Sequence, residues 1–197
     1  MKLDHTNLSN VENFFKTKSS EITYAFAEIA AIGFKKSFSF EIDCNKLNSD
    51  YASKINITKE GDFVSIFKTL QDYQDLPAIY IFGINSEVDY DVIIKEIENA
   101  NNDNTLKFPA NNKNNQNNGV LYVGKVKSCA WGRLIQHLGY HQNKKSHGLQ
   151  IDYWAKRVNM PLNLTYTVMF FDKKMSDYLE TLEIAIAKEL APIIGKH

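Results

Sequence analysis

One stretch limits the folds open to this chain more than any other: Val120-Leu121-Tyr122-Val123-Gly124-Lys125, followed closely by Trp131-Gly132-Arg133-Leu134-Ile135-Gln136-His137. The first half alternates, with Leu121 and Val123 on one side and Tyr122 on the other, as a half-buried strand requires. Gly124 is expected to end that strand and let the backbone turn without a Cβ clash. The second half has helical spacing. Its apolar face is Ala130, Trp131, Leu134, Ile135 and Leu138, which leaves Arg133 and His137 on the polar side, stacked four residues apart.

Other segments supply a core around it. Pro77 introduces a second strand, Ala78-Ile79-Tyr80-Ile81-Phe82, which also carries a tyrosine, and Asn163 to Phe171 is a β-rich run expected to form a third. Residues 10–31 and 88–98 have helical periodicity, Phe63, Ile66, Phe67 and Leu70 form a helical stripe, and Leu149 to Val158 is expected to be helical. Ser37 to Asp43 alternates strictly and is expected to be a strand. Ten of the twenty residues from Asn99 to Asn118 are asparagine. Such a segment buries little apolar area, so a mobile loop is expected there.

The last helix carries the sharpest chemical signal. Ser176-Asp177 are expected to cap it, with Glu180 completing a capping box, and Pro192 follows its end. Leu179, Leu182, Ile186 and Leu190 form an apolar arc at about 100° per residue, and Glu183 falls inside it. A carboxylate on a buried face is costly unless it is paired or binds a cation. Two readings follow: a Mg²⁺ ligand, or a buried Glu–Arg ion pair.

Composition narrows the class. The 197 residues are 44% hydrophobic and 12% aromatic, enough for a sizeable core. No stretch approaches a membrane span and the N-terminus is too polar for a signal peptide, so a cytoplasmic protein without membrane association is expected. Cys44 and Cys129 have no metal-binding spacing and are expected to be free thiols. The net charge of zero argues mildly against nucleic-acid binding. The charge is uneven, however. Residues 125–157 hold Lys125, Lys127, Arg133, Lys144, Lys145, Lys156 and Arg157 against one acid, Asp152. That asymmetry suits a DNA-facing surface, and equally a solvated basic stretch.

Residues 76–195 together resemble the GIY-YIG nuclease family. Ala78-Ile79-Tyr80 stands where that family has GIY, and Tyr122-Val123-Gly124 where it has YIG. Arg133 matches the helix arginine, Glu183 with Pro192 nine residues beyond matches the metal-binding glutamate, and the histidine four after the arginine is similar to the small restriction-endonuclease branch. Some thirty-five residues separate the two tyrosine strands, where the family usually has a short hairpin.

The resemblance implies Mg²⁺, with Mn²⁺ as a substitute, held by Glu183. It implies Arg133 on the scissile phosphate, His137 orienting a tyrosine or water or assisting proton transfer, and Tyr122 as base with Tyr80 as its orienting partner. A phenol is a poor base near neutral pH, and a neighbouring cation, such as Arg133 or the metal, is expected to favour its phenolate.

The expected fold is α+β: a small three-stranded central sheet flanked by helices over 76–197, with an Asn-rich insertion at about 85–118 and an N-terminal α/β extension over 1–75. The expected function is metal-dependent endonucleolytic hydrolysis of DNA, of restriction type, with a homodimer as one way to cut both strands. The competing expectation is a non-catalytic nucleic-acid-binding or protein-interaction module on the same scaffold.

Overall fold

Four segments with alternating burial make one antiparallel sheet. The computed structural model describes residues 5–102, 108–141 and 148–195, with side chains from Asn10 onward. It falls into two compact units, Met1–Lys35 and Lys36–His197. The first is essentially helix α1 (His5–Ile32). The second holds β1 (Lys36–Asp43), α2 (Val64–Gln71), β2 (Ala78–Ile84), α3 (Tyr90–Asn102), β3 (Val120–Val126), α4 (Ala130–Leu138), α5 (Ile151–Ala155), β4 (Asn163–Phe170) and α6 (Leu179–Leu190). Among the described residues no helix is long and apolar enough to cross a membrane.

The strand order is β1-β4-β2-β3. The fold is α+β as expected, but the sheet has four strands, not three. The fourth is β1, from the segment expected to form an extension, and it pairs with β4 along its whole length, from Lys36↔Phe170 to Asp43↔Asn163. The two compact units divide between Lys35 and Lys36, and β1 belongs to the sheet unit. The two tyrosine strands are direct neighbours despite the long insertion, in a register that sets Tyr80 opposite Gly124 and Phe82 opposite Tyr122.

Side-chain alternation sorts the two faces. Tyr80, Phe82, Tyr166, Val168 and Phe170 lie on one face, all fully buried, in contact with α4 through ring packing of Tyr80 and Phe82 on His137. On the other face Lys125 meets Glu180 of α6, the helix that packs on β3 and β2. There Ser39 and Thr167 share a hydroxyl hydrogen bond of 3.0 Å in an exposed part of β1 and β4.

The outer edge of β3 is half covered. Ile193 and Ile194 donate their N–H groups to Val120 and Leu121, each at 2.9 Å. The Asn-rich segment in turn packs on this C-terminal stretch. Asn112 is buried, donating its backbone N–H to Ile193 and its side-chain amide to Pro192, both at 2.9 Å. Asn118 likewise donates to the Leu190 carbonyl at the end of α6. The expected mobile loop is thus replaced, over residues 108–118, by a docked segment. Asparagine amides satisfy carbonyls that the end of a helix leaves without partners, which outweighs the lack of apolar area.

The α6 capping box does not form. The N-cap is Tyr178, with no side-chain cap bond. Asp177 and Glu180 go instead to Lys127 and Lys125, at 2.7 and 3.2 Å. α5 is also shorter than the expected 149–158, ending at Ala155. Both cysteines are free, and burial, helped by Asp43 and Asp152, pushes the Cys44 thiol up to about 12, so it carries no thiolate.

A tyrosine–arginine–histidine cluster as the candidate active site

The cluster is built on the crossing of β2, β3 and α4. Tyr80 points from the centre of β2 and is completely buried. His137 is completely buried too, which corrects the expected polar-side placement. The reason is visible in the spacing: Ala130, Leu134, His137 and Leu138 are the buried residues of α4 and follow one helical stripe, with Trp131 and Ile135 only half-buried. Arg133, at the margin of that stripe, is half-buried.

Hydrogen bonds order the three groups. The Leu149 N–H donates to His137 Nδ1 at 3.2 Å. A neutral imidazole accepting at Nδ1 carries its proton on Nε2, which therefore donates to the Tyr80 hydroxyl at 2.9 Å. Arg133 Nε also donates to Tyr80, at 3.1 Å, while its terminal nitrogen donates to Gln136 Oε1 at 2.6 Å. Tyr80 thus accepts two hydrogen bonds. Its own proton is left for Tyr122, the adjacent phenol, which Tyr80 pulls down.

Burial dominates the electrostatics. It lowers the His137 pKa well below its usual value, with the Arg133 charge acting in the same direction. It raises Tyr80 strongly, and it raises Tyr122 against the opposing pull of Arg133. Arg133 favours both phenolates, as expected, but burial outweighs it, so that without a further cation both tyrosines stay neutral phenols near neutral pH.

Stability should respond to the buried imidazole. The unfolded chain takes up a proton below about pH 6.5, while folded His137 resists it, so the unfolded state binds more protons there. This contribution is complete above that pH and is lost on acidification. The melting temperature should fall between pH 7.5 and 5.5, and the fall should shrink in His137→Gln; calorimetry at a series of pH values measures it.

Gly124 lies inside β3, which runs on to Val126, so it does not end the strand as expected. A Cβ there would sit 2.6 Å from both the Tyr80 hydroxyl and Tyr122 Cε1. The glycine makes room for a ring that crosses over it. Gly148 has a comparable role on the other side of His137. A Cβ at Gly148 would stand 2.3 Å from the Gln136 carbonyl oxygen, which is helix backbone. Gly148→Ala should push the Leu149 N–H away from His137 and cost about 1–3 kcal/mol. At roughly 2–4 °C per kcal/mol for a chain of this size, the loss is readable by thermal denaturation.

Glu183 stands half-buried on α6, within the field of Arg133 and Tyr122. It accepts a hydrogen bond from the Lys125 backbone N–H, on β3 beyond the part covered by Ile193 and Ile194. Burial, then the charge of Glu180, raises its pKa against Lys125 and Arg133. No ion pair to Glu183 forms among the described residues. Lys125 gives its ammonium to Glu180, and Arg133 is engaged with Tyr80 and Gln136. The Glu–Arg pair, the second reading of this carboxylate, is therefore not made. Among the described residues no group of three or more His, Cys, Asp or Glu side chains converges. What the cluster offers a cation is one carboxylate not neutralised by a partner. That suits magnesium, which takes one or two carboxylates and completes its shell with waters and phosphate oxygens.

The basic stretch is less positive in space than in sequence. Lys125 and Lys127 are paired with Glu180 and Asp177, which the fold brings back from fifty residues away, and Lys156 is paired with Asp152. Arg157 stacks over Tyr153 at 4.7 Å. Lys144 and Lys145 lie outside the described residues. Tyr80, Tyr122, Arg133 and His137 are thus brought together with Glu183 nearby, whereas Lys156 and Arg157 lie just past the end of α5.

Two contributors were missed. Gln136 holds the guanidinium, and its position three after Arg133 on a helix was an available signal. The Leu149 N–H had none, because a backbone donor has no side-chain signature. Comparisons with protein-family models, with curated proteins and with solved structures return no match, and the functional reading rests on this geometry and on the motif order.

Proposed function

We propose that this protein is a metal-dependent endonuclease that hydrolyses phosphodiester bonds in DNA, with the cluster at β2, β3 and α4 as its active site. The observation that carries the reading is the joint engagement of Arg133 and His137 on Tyr80, with the unpaired carboxylate of Glu183 close by. Polar groups this deeply buried and mutually fixed are costly in a purely structural role. The resemblance of the motif order to the GIY-YIG family supports the same reading.

In this reading Arg133 presents its remaining guanidinium N–H groups to the non-bridging oxygens of the scissile phosphate, where its planar fork fits and its charge stabilises the transition state. Gln136 and Tyr80 hold that fork in place. His137 acts through Tyr80, since Tyr80 occupies its Nε2 and Leu149 its Nδ1. Tyr122, a neutral phenol, accepts a hydrogen bond from the attacking water and orients it. Glu183 would hold Mg²⁺, or Mn²⁺ in its place. When bound, that ion supplies Lewis-acid stabilisation of the phosphate and leaving oxygens. Lys125 and Lys127 reach the backbone by exchanging Glu180 and Asp177 for phosphate, since exposed ion pairs contribute only about 0–1 kcal/mol. One such site cuts one strand, and a homodimer would supply the second.

The test incubates purified protein with supercoiled plasmid and with genomic DNA, in Mg²⁺ or Mn²⁺, with and without EDTA, beside Tyr122→Phe. Metal-dependent nicking or linearisation, lost with EDTA and strongly reduced in Tyr122→Phe, supports the assignment. DNA binding without cleavage on either substrate in both metals would favour the non-catalytic module.

A further inference from the structure

The two outer edges of the sheet are treated differently. Ile193 and Ile194 hydrogen-bond to the edge at β3. The other edge is β1. Cys44, just past its end, donates its N–H to the Leu162 carbonyl at 3.0 Å, in the register that β1 keeps on β4. Residues of that parity, Lys36, Phe38, Phe40 and Ile42, therefore turn their backbone groups to β4, and Ser37, Ser39 and Glu41 turn theirs outward. Among the described residues no backbone hydrogen bond reaches these three from outside the sheet, and all three are exposed. β1 has neither a proline nor a bulge, and it pairs residue for residue from Lys36 to Asp43. An open row of N–H and C=O groups of this kind is a template for another strand.

We propose that β1 of a second copy pairs antiparallel with this edge about a two-fold axis at Ser39, joining two four-stranded sheets into one and making the protein a homodimer. Ser39 then exchanges both of its hydrogen bonds with its own copy, and Ser37 exchanges both of its bonds with the copy's Glu41. On the core-facing side Phe38 comes opposite the copy's Phe40, twice by symmetry, at the closer spacing of pairs without hydrogen bonds. Both rings are half-buried in the single chain and already stack on each other at 6.0 Å, so the pairing extends an aromatic row across the axis. On the other side small hydroxyl side chains meet at the axis. The paired stretch is 37–41, and it ends before Ile42, which the chain itself buries. The neighbouring registers fit less well. An axis at Phe40 would need Asp43, where the chain turns away into Cys44–Lys46, and an axis at Glu41 would oppose two carboxylates. Two-fold pairing uses the open edge of each copy, so assembly stops at two. The interface does not depend on the catalytic reading.

The test is analytical ultracentrifugation of the full chain at micromolar concentration, with circular dichroism to verify folding. The expected mass is twice 22.6 kDa. It should fall to 22.6 kDa in Ser39→Pro, because that N–H points outward, and its loss removes a donor to the second copy and none to β4. Ser39→Ala keeps the N–H and loses only the hydroxyl bond shared with Thr167, so it should stay dimeric. A second readout does not depend on the proline variant folding. Ser39→Cys in a Cys129→Ser background should be cross-linked to its copy by a short bis-maleimide, since Cys44 is buried. A folded Ser39→Pro chain that stays dimeric, species larger than a dimer, or a Ser39→Cys chain that does not cross-link would each overturn the proposal. So would a monomeric wild-type chain, which would leave the edge to a strand from another protein.

Discussion

Gly124→Ala should both destabilise the protein and disrupt the tyrosine cluster. The added Cβ would meet the Tyr80 hydroxyl and Tyr122 Cε1 at 2.6 Å and Tyr80 Cζ at 2.7 Å. Tyr80 cannot retreat: it is fully buried against Phe82, Tyr166 and His137, with its hydroxyl held by two donors. Either β3 shifts away from β2 or the ring leaves its place and breaks the hydrogen bonds from His137 and Arg133. Overpacking of this kind costs about 1–3 kcal/mol, and a buried donor left without a partner adds about 1–3 kcal/mol. A drop of several degrees in melting temperature should accompany loss of the proposed nuclease activity. Differential scanning calorimetry and plasmid nicking on one preparation measure both. A variant with wild-type stability and activity would show that the ring does not need the space.

Arg133→Lys should separate charge from geometry. Lysine keeps the positive charge but cannot supply the Nε–H to Tyr80 and the terminal N–H to Gln136 at once. Removing one pre-organised donor from a transition-state site typically costs about 10²–10³ in rate. Turnover should fall by that order, while duplex affinity, which depends mainly on charge, should change by no more than a few-fold. Fluorescence anisotropy and single-turnover cleavage make the comparison. A lysine variant within about threefold of wild type in rate would remove Arg133 from the chemistry, since each tenfold corresponds to about 1.4 kcal/mol.

Which parts of this were legible in the sequence follows from the range of each interaction. The strands holding Tyr80 and Tyr122, the β4 run and the 63–70 helix were visible because alternation and helical spacing are local. β1 was recognisable as a strand, but its partner β4 lies more than a hundred residues later. No local pattern announces that pairing, so the sheet seemed to have three strands. The role of Gly124 is hidden for the same reason. A turn is a local explanation for glycine, whereas the ring it accommodates belongs to another strand. The polarity of His137 points to the solvent side of α4, whereas its spacing sets it with Leu134 and Leu138 on the buried stripe. The basic stretch lost its apparent charge to Asp177 and Glu180, which return from a distant segment. The asparagines at 111–118 were judged by composition, and composition does not show that a helix end would need their amides.

The most direct test of the central claim compares wild type with Glu183→Gln on supercoiled plasmid in Mg²⁺, with duplex binding followed in parallel by anisotropy. Glutamine keeps the shape and can still accept from the Lys125 N–H, but it carries no charge for a cation. The account predicts duplex affinity within about twofold, with cleavage reduced by a factor on the order of 10² or more. Cleavage that persists at the wild-type rate in Glu183→Gln would contradict it.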